Sequence, residues 1–381
     1  MTRQYDIIIA GAGGIAEAAG LMLMEFSNIL PRLYIGNRTL SRADKMAKWI
    51  MEGTSKIPEI ETFQLDFDGI RDEAQKIFKK ADILLDCLPG SLAPKMAQIA
   101  RKYGLHYANL TEYVAETDEI IGIAKDAETG FILQTGLAPG YIDVLGNYLF
   151  QKFCEKYRVK IADKLQLKVG ALTRHAVAPH FYGFTWSPVG VATEYLKEAI
   201  AIRDFKECNL PALSERAKII INGITYEEDL TSGGAADLPK SLENKVESLD
   251  YKTLRFPGHY AWVDSQISSI KDNSEIIKIL QAKMEEVIPH IEEDQIVLYA
   301  SVEGKDTEGI LRKLEASKVI LPQKVGKHTL RAIQTTTAAP LLQSALYLLE
   351  TSPRAVILQS EIPALDFLKG HFITPVYGKI I

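Results

Sequence analysis

Through the first third of the chain, short runs with apolar centres alternate with longer stretches whose apolar residues recur at helical spacing. Residues 7–10 (Ile-Ile-Ile-Ala), 32–36, 61–67, 81–86, 106–109 and 130–134 are too short for buried helices and rich in branched or aromatic side chains. They predict six strands, the first of them a buried parallel strand. Between them lie helical patterns: one after Gly14, one over 70–78, one opening near Pro94 and a short one after Glu112. The alternation of strands and helices and their spacing predict a parallel, doubly wound α/β sheet.

Beyond residue 143 the rhythm changes. A helix is expected to about Tyr157, then strands at 165–172, 181–186, 218–224, 251–256 and 295–302. Residues 310–319 follow Gly304-Lys305-Asp306 and read as the second arm of a hairpin. Helices are expected over 189–202, 260–270, 274–288 and 337–349, and residues 230–247, with Gly, Ser, Pro and charge, read as a lid or surface loop. This half predicts an α+β domain with a mostly antiparallel sheet. Three segments follow: 1–142 as the α/β domain, 143–334 as the α+β domain, and 335–381 returning toward the first.

The first apolar run stops at Gly11-Ala12-Gly13-Gly14 and a helix follows through Ile15 and Ala16. Strand, glycine turn and helix together make a dinucleotide-binding, Rossmann-type fingerprint. Gly11 permits the tight turn, Gly13 lets backbone approach a pyrophosphate, and Ala16 takes the third small position. The second strand runs into Asn37-Arg38-Thr39 with no acid before Asp44. An acid there would bind a ribose 2′-OH, whereas Arg38 suits a 2′-phosphate, so the reading leans to NADP with NAD as the alternative. The remaining strand ends are Asp66, Cys87-Leu88-Pro89, Asn109 to Glu112, and Gly136-Leu137-Ala138-Pro139-Gly140. Ligands of such sheets lie beyond these ends. Gly136 is assigned to the cofactor and Pro139 and Gly140 to the substrate side; Cys87 is read as packing under the nucleotide.

Composition narrows this reading. At 381 residues two domains are the default, and 47% hydrophobic with 24% charged residues is ordinary globular composition. A net charge of −5 gives no footprint for nucleic acid or an anionic membrane. No apolar run approaches the roughly 20 residues a spanning helix needs, and none has the flanks of a signal peptide. Cys87, Cys154 and Cys208 are scattered and lack metal-ligand spacing, so a reduced, cytoplasmic protein without a metal site is expected.

The motif GAGGIAEAA at 11–19, GLAPG at 136–140, FTWSP at 184–188 and TLRFPGH at 253–259 occur in the order found in the saccharopine dehydrogenase family. DQIVLYASVEG at 294–304 and TTTAAPLLQSALYLL at 335–349 continue the pattern. The chain resembles the glutamate-forming branch of that family, and within it the lysine 6-dehydrogenase-like subgroup. The resemblance implies oxidation of a carbon–nitrogen bond with hydride passing to a nicotinamide, and commonly a homodimer. Ala138 and Val189 stand where saccharopine-acting members often carry Asp and Arg, and Asn109 where relatives often carry Asp. The absent Arg removes a two-pronged clamp for one carboxylate. A lysine-like amino acid or its secondary amine is therefore the expected substrate. Saccharopine dehydrogenase itself or a carboxynorspermidine-type reductase is the alternative enzyme, and a non-catalytic NADP-binding sensor the alternative of another class.

Hydride leaves an amine-bearing carbon only if the nitrogen is unprotonated, and an amino-acid substrate needs a cation for its carboxylate. Arg255 and His259, flanking Pro257-Gly258, and Glu112 at the fifth strand end are the catalytic candidates. Arg174, His175 and Trp186 are the further candidates for substrate contact. Each has an ordinary alternative: an ion pair for Arg255, a helix start for His259 and Glu112, an exposed loop for Arg174 and His175, core packing for Trp186.

Overall fold

The computed structural model describes residues 4–67, 69–112, 114–270 and 274–379. They cluster into two compact units. The first takes the described residues up to Tyr141, Gln323–Leu330, and those from Gln334 on. Its strands are β1 (Gln4–Ala10), β2 (Leu30–Asn37), β3 (Glu59–Gln64), β4 (Ile83–Asp86), β5 (His106–Asn109) and β6 (Gly130–Ile132). Between them run α1 (Gly14–Phe26), α2 (Leu40–Gly53), α3 (Asp72–Lys80), α4 (Ala93–Tyr103) and α5 (Val114–Ala124). All strands are parallel, in the order β6-β5-β4-β1-β2-β3, and a seventh, Ala355–Ile357, adds beside β6. Ile7, Ile8 and Ile9 are fully buried because β1 lies at the centre with helices on both faces. Strand order reverses at β1, between β2 and β4, which creates the crevice where such sheets take ligands.

The seventh strand was invisible to patterning because Ala-Val-Ile is only three residues long. It is tied in by Gln359, whose side-chain amide donates to the Leu133 carbonyl at 2.7 Å. Ahead of it, the helix Ala332–Thr351 is fastened by Tyr377, whose hydroxyl donates to the Thr336 carbonyl at 2.5 Å while its ring stacks on Tyr141 at 3.5 Å.

The second unit carries α6 (Tyr141–Tyr157), whose first residue closes the first unit, then β7 (Ala162–Thr173), α7 (Pro188–Glu194), β8 (Ala199–Arg203), β9 (Lys206–Leu210), β10 (Ala217–Ile221) and β11 (Ile224–Leu230). It continues through α8 (Leu238–Ser241), β12 (Val246–Arg255), α9 (His259–Ser268), α10 (Ile276–Val287), β13 (Asp294–Lys305) and β14 (Leu311–Ile320). The eight-stranded sheet runs β10-β11-β12-β7-β13-β14, with β8 joined to β12 and β9 to β8. Only β12 and β7 pair in parallel; the rest is antiparallel. Tyr182, Phe184, Val191, Tyr195, Tyr260, Leu280 and Met284 form a separate core around α7, α9 and α10.

Four expectations for this half are corrected. Residues 181–186 form no strand beyond one bridge from Phe184 to His290; Tyr182 and Phe184 alternate because both enter the helical core. The helix expected over 189–202 ends at Glu194, and 199–203 is β8, where alternating Ala and Ile pair with β9. The strand expected over 218–224 is a hairpin, turning at Asn222 (φ 49°) and Gly223 (φ 81°), the two left-handed residues of a tight turn. Residues 230–247 are no surface loop: Leu230, Thr231, Ala235, Leu238 and Leu242 are buried, and β12 begins within them.

Candidate functional site

The glycine turn has the shape that a phosphate cradle requires. Gly11 adopts φ +112°, its N–H donates to the Gly36 carbonyl at 2.8 Å, and a Cβ there would sit 2.9 Å from the Cys87 carbonyl oxygen. Only glycine fits. Gly13 leads into α1, and a Cβ on it would meet nothing within 4 Å, so the backbone lies open to a large ligand. The first N–H groups of α1 have no partner within the helix and carry its positive dipole end. Ala16 is buried, but the tightest approach comes one turn later: a Cβ on Gly20 would lie 2.4 Å from Ile50 Cδ1 of α2. These residues fit a pyrophosphate.

The other strand ends line up beside the turn. After β2, Asn37 Nδ2 donates to the Thr39 carbonyl at 3.0 Å, the Arg38 carbonyl accepts from Gln64 at 3.2 Å, and Arg38 and Thr39 are exposed. Asp66 is half-buried just past β3. At the end of β4 the buried Asp86 accepts from the Tyr107 hydroxyl at 2.7 Å and the Leu88 N–H at 3.0 Å. Burial raises its pKa to about 6 against the pull of those bonds. Burial, with Asp86 adjacent, also pushes the Cys87 thiol up and keeps it protonated, which suits a packing surface rather than a nucleophile. Leu88 is half-buried and Pro89 exposed.

Past β5, Asn109 is buried, its Oδ1 accepting the Gln134 N–H at 2.9 Å and its carbonyl the Thr135 hydroxyl at 2.7 Å. Glu112 is half-buried, and burial, then Glu116, raises its carboxyl pKa above the ordinary range. The turn after β6 closes on itself: Gly136 bridges Gly140, and the Tyr141 N–H donates to the Gly136 carbonyl at 2.9 Å. Pro139, in a cis peptide, and Gly140 are buried within it.

Two neighbours of this cradle escape a sequence reading. Gln334 donates through Nε2 to the Gly14 carbonyl at 2.9 Å, and the Thr337 methyl lies 3.8 Å from where a Gly136 Cβ would be. Both come from the helix Ala332–Thr351, about 320 residues away in sequence from the glycine turn.

In the second unit, Arg174 and His175 sit on the exposed loop after β7, where His175 Nε2 meets the Glu293 carboxylate at 2.9 Å. Trp186 is half-buried against α7, close enough that a Cβ on Gly190 would fall 2.3 Å from its ring. Arg255 and His259 are brought together in a different place, 1% and 0% exposed. Arg255 donates from Nε to the Tyr195 hydroxyl at 2.6 Å and pairs with Glu194 at 2.6 Å, its guanidinium over the Tyr182 ring. Tyr195 bonds His259 Nε2 at 2.9 Å, and His259 Nδ1 lies 2.6 Å from the His180 carbonyl. Both imidazole nitrogens are thus engaged, and burial, with Arg255 second, lowers the pKa of His259 to about 3. The network holds both side chains in one orientation. Glu194 and Tyr195 carry it, and their only signal in the sequence is their position at the end of the helix after WSP.

Among the described residues no group of three or more His, Cys, Asp or Glu could hold a metal ion, and no helix is long and apolar enough to cross a membrane.

A family model for the saccharopine dehydrogenase NADP binding domain matches residues 7–133, and one for the saccharopine dehydrogenase C-terminal domain matches residues 136–371. Among solved structures, apo saccharopine dehydrogenase (L-Glu forming) from Saccharomyces cerevisiae is similar with a TM-score of 0.71 at 14% identity, covering 96% of this chain and 97% of that one. Homospermidine synthase from Legionella pneumophila, in complex with NAD, has a TM-score of 0.65 at 11% identity, covering 99% and 91%. At these identities the two structures speak for the fold.

Proposed function

The chain belongs to the saccharopine dehydrogenase family, and on that premise we propose that it is an NAD(P)-dependent oxidoreductase acting on the carbon–nitrogen bond of a lysine-like amino acid or its secondary-amine derivative. The observation that carries the reading is the glycine turn, where only glycine fits at Gly11 and the backbone stands open at Gly13. Exposed Arg38 at the end of β2 supports NADP, since a guanidinium binds a 2′-phosphate and repays nothing on a bare ribose. The nicotinamide, when bound, supplies the hydride acceptor.

The chain's own contribution is a held cofactor and a proton acceptor. Peptide N–H groups of the first turn of α1 bind the pyrophosphate. Glu112, half-buried with a raised pKa, takes the proton from the substrate ammonium, freeing the lone pair that forms the C=N bond. A partly desolvated carboxylate is a stronger base than one in water, which is what an amine of high pKa requires. Ala138 and Val189 in place of Asp and Arg favour a substrate smaller than saccharopine. The resemblance also supports a homodimer acting on a free small molecule.

The test is turnover. Purified protein is given NAD+ and NADP+ separately with lysine, saccharopine and carboxylated polyamines, and reduced nicotinamide is followed by absorbance. Reduction with lysine and not saccharopine is the expected result. Tight nucleotide binding without turnover on any amine would instead identify a nucleotide sensor.

A further inference from the structure

The peptide joining Gly14 to Ile15 is planar, so its C=O and N–H point in opposite directions and turn as one body. The Ile15 N–H is among the first-turn donors of α1 that no helical carbonyl uses. The direction in which it presents its hydrogen is therefore set by whatever holds the Gly14 carbonyl. That carbonyl takes the Ala18 N–H inside the helix and, in addition, the side-chain amide of Gln334 at 2.9 Å. Gln334 is 8% exposed, and the helix turn carrying it is pinned from beyond by the Tyr377 hydroxyl on the Thr336 carbonyl. Thr337, three residues on and hence on the same helix face, stands beside Gly136 at the end of β6. One helix turn thus touches both the glycine turn after β1 and the turn after β6.

We infer that Gln334 is a positioning residue for the dinucleotide pyrophosphate, acting through the Gly14–Ile15 peptide. Together with the Ala18 N–H it holds the plane of that peptide, and as a second donor to the carbonyl it polarises the amide and strengthens the N–H on the far side as a donor. The residue touches no phosphate itself. The inference rests on the nucleotide-binding reading above and adds that the cradle is incomplete without the chain beyond residue 330. Residues 4–141 alone hold the ends of β1 to β6 but not this donor.

The test uses the full-length protein and needs no substrate. Gln334→Met keeps the volume and removes the donor; Gln334→Glu keeps the length and presents an acceptor to the Gly14 carbonyl. Affinities for NADPH, NADH and ADP-ribose are measured by fluorescence and calorimetry, beside the melting temperature without ligand. Loss of one hydrogen bond predicts about three- to tenfold weaker binding of all three by Gln334→Met, and at least as much by Gln334→Glu. ADP-ribose, which has the pyrophosphate but no nicotinamide, should weaken as much as the intact cofactors. Wild-type affinity in either folded variant overturns the inference, as does weakening of NADPH and NADH with ADP-ribose unchanged. If Gln334→Met does not fold, Gln334→Glu decides. Absence of nucleotide binding in the wild type would be a failure of the proposed function, recognised before any variant is made.

Discussion

His259 should make the second unit acid-labile, by an amount that its surroundings specify. Its Nδ1 lies 2.6 Å from the His180 carbonyl, which can only accept, so Nδ1 carries the hydrogen. Nε2 is then the acceptor for the Tyr195 O–H at 2.9 Å, and the Tyr195 oxygen in turn accepts from Arg255 Nε at 2.6 Å. The hydrogen bonds run one way only. Burial penalises the imidazolium and Arg255 beside it opposes a second buried cation, which is why the pKa falls to about 3; a proton on Nε2 would also face the Tyr195 hydroxyl hydrogen. In the unfolded chain it is about 6.5. A depressed histidine pKa means that the unfolded state binds the extra proton below about 6.5, so stability is full above that pH and is lost as pH falls toward 3. From pH 7 to pH 4.5 the loss from this group is about 3 kcal/mol, two pH units at roughly 1.4 kcal/mol each. His259→Asn removes the titration and leaves the Tyr195 hydroxyl without its acceptor, costing about 1–3 kcal/mol at pH 7. Urea unfolding of both proteins, followed by tryptophan fluorescence at pH 7 and 4.5, reads the difference directly, because the other titrating groups are common to both. The wild type's advantage should fall by about 3 kcal/mol at the lower pH, so that it vanishes or reverses sign. A gap independent of pH would refute the one-way network.

Three further outcomes follow from the nucleotide unit. Arg38→Ala should cut NADP affinity about tenfold while leaving NAD nearly unchanged, as expected for loss of one charge-assisted contact; an unchanged NADP/NAD preference in paired KM measurements would remove Arg38 from the site. Gly11→Ala forces a Cβ to 2.9 Å from the Cys87 carbonyl at φ +112°, so a loss of about 1–2 kcal/mol in stability, read by melting, should accompany weakened NADPH binding. Glu112→Gln should lower kcat by about two to four orders of magnitude. Because the raised carboxyl must be ionised to accept a proton, wild-type kcat/KM should fall as pH drops through that raised pKa, and the variant should lack that acid limb.

The α/β half, apart from α2 and its seventh strand, was legible because its elements announce themselves locally. Apolar runs of four to six residues, glycine at a strand end and proline near the start of α4 are features of neighbouring residues, and the parallel order follows from their alternation. In the second half the signal is mixed. Ile200 and Ile202 belong to a strand, yet they continue the helical pattern of α7; Tyr182 and Phe184 alternate like a strand while packing among helices. Burial against tertiary neighbours, rather than backbone period, sets those patterns, and local reading then assigns the wrong element.

The same distinction separates what could be read of the site from what could not. Gly11 and Gly13 are recognisable because their role depends on the residues beside them. The roles of Arg255 and His259 do not: the same RFPGH turn could present both side chains outward or, as here, bury them against Glu194 and Tyr195, some 60 residues earlier. A buried Arg holding a carboxylate and a phenol is costly to disturb, since removing one partner strands the other charge. Direct contact with substrate is not needed for these residues to matter. Gln334 makes the complementary point. A glutamine in a threonine-rich helix start has no chemical signature, and its importance arises only when folding sets its amide against Gly14. A nucleotide site recognised by its glycines therefore extends, through a single hydrogen bond, to a part of the chain that no nucleotide motif marks.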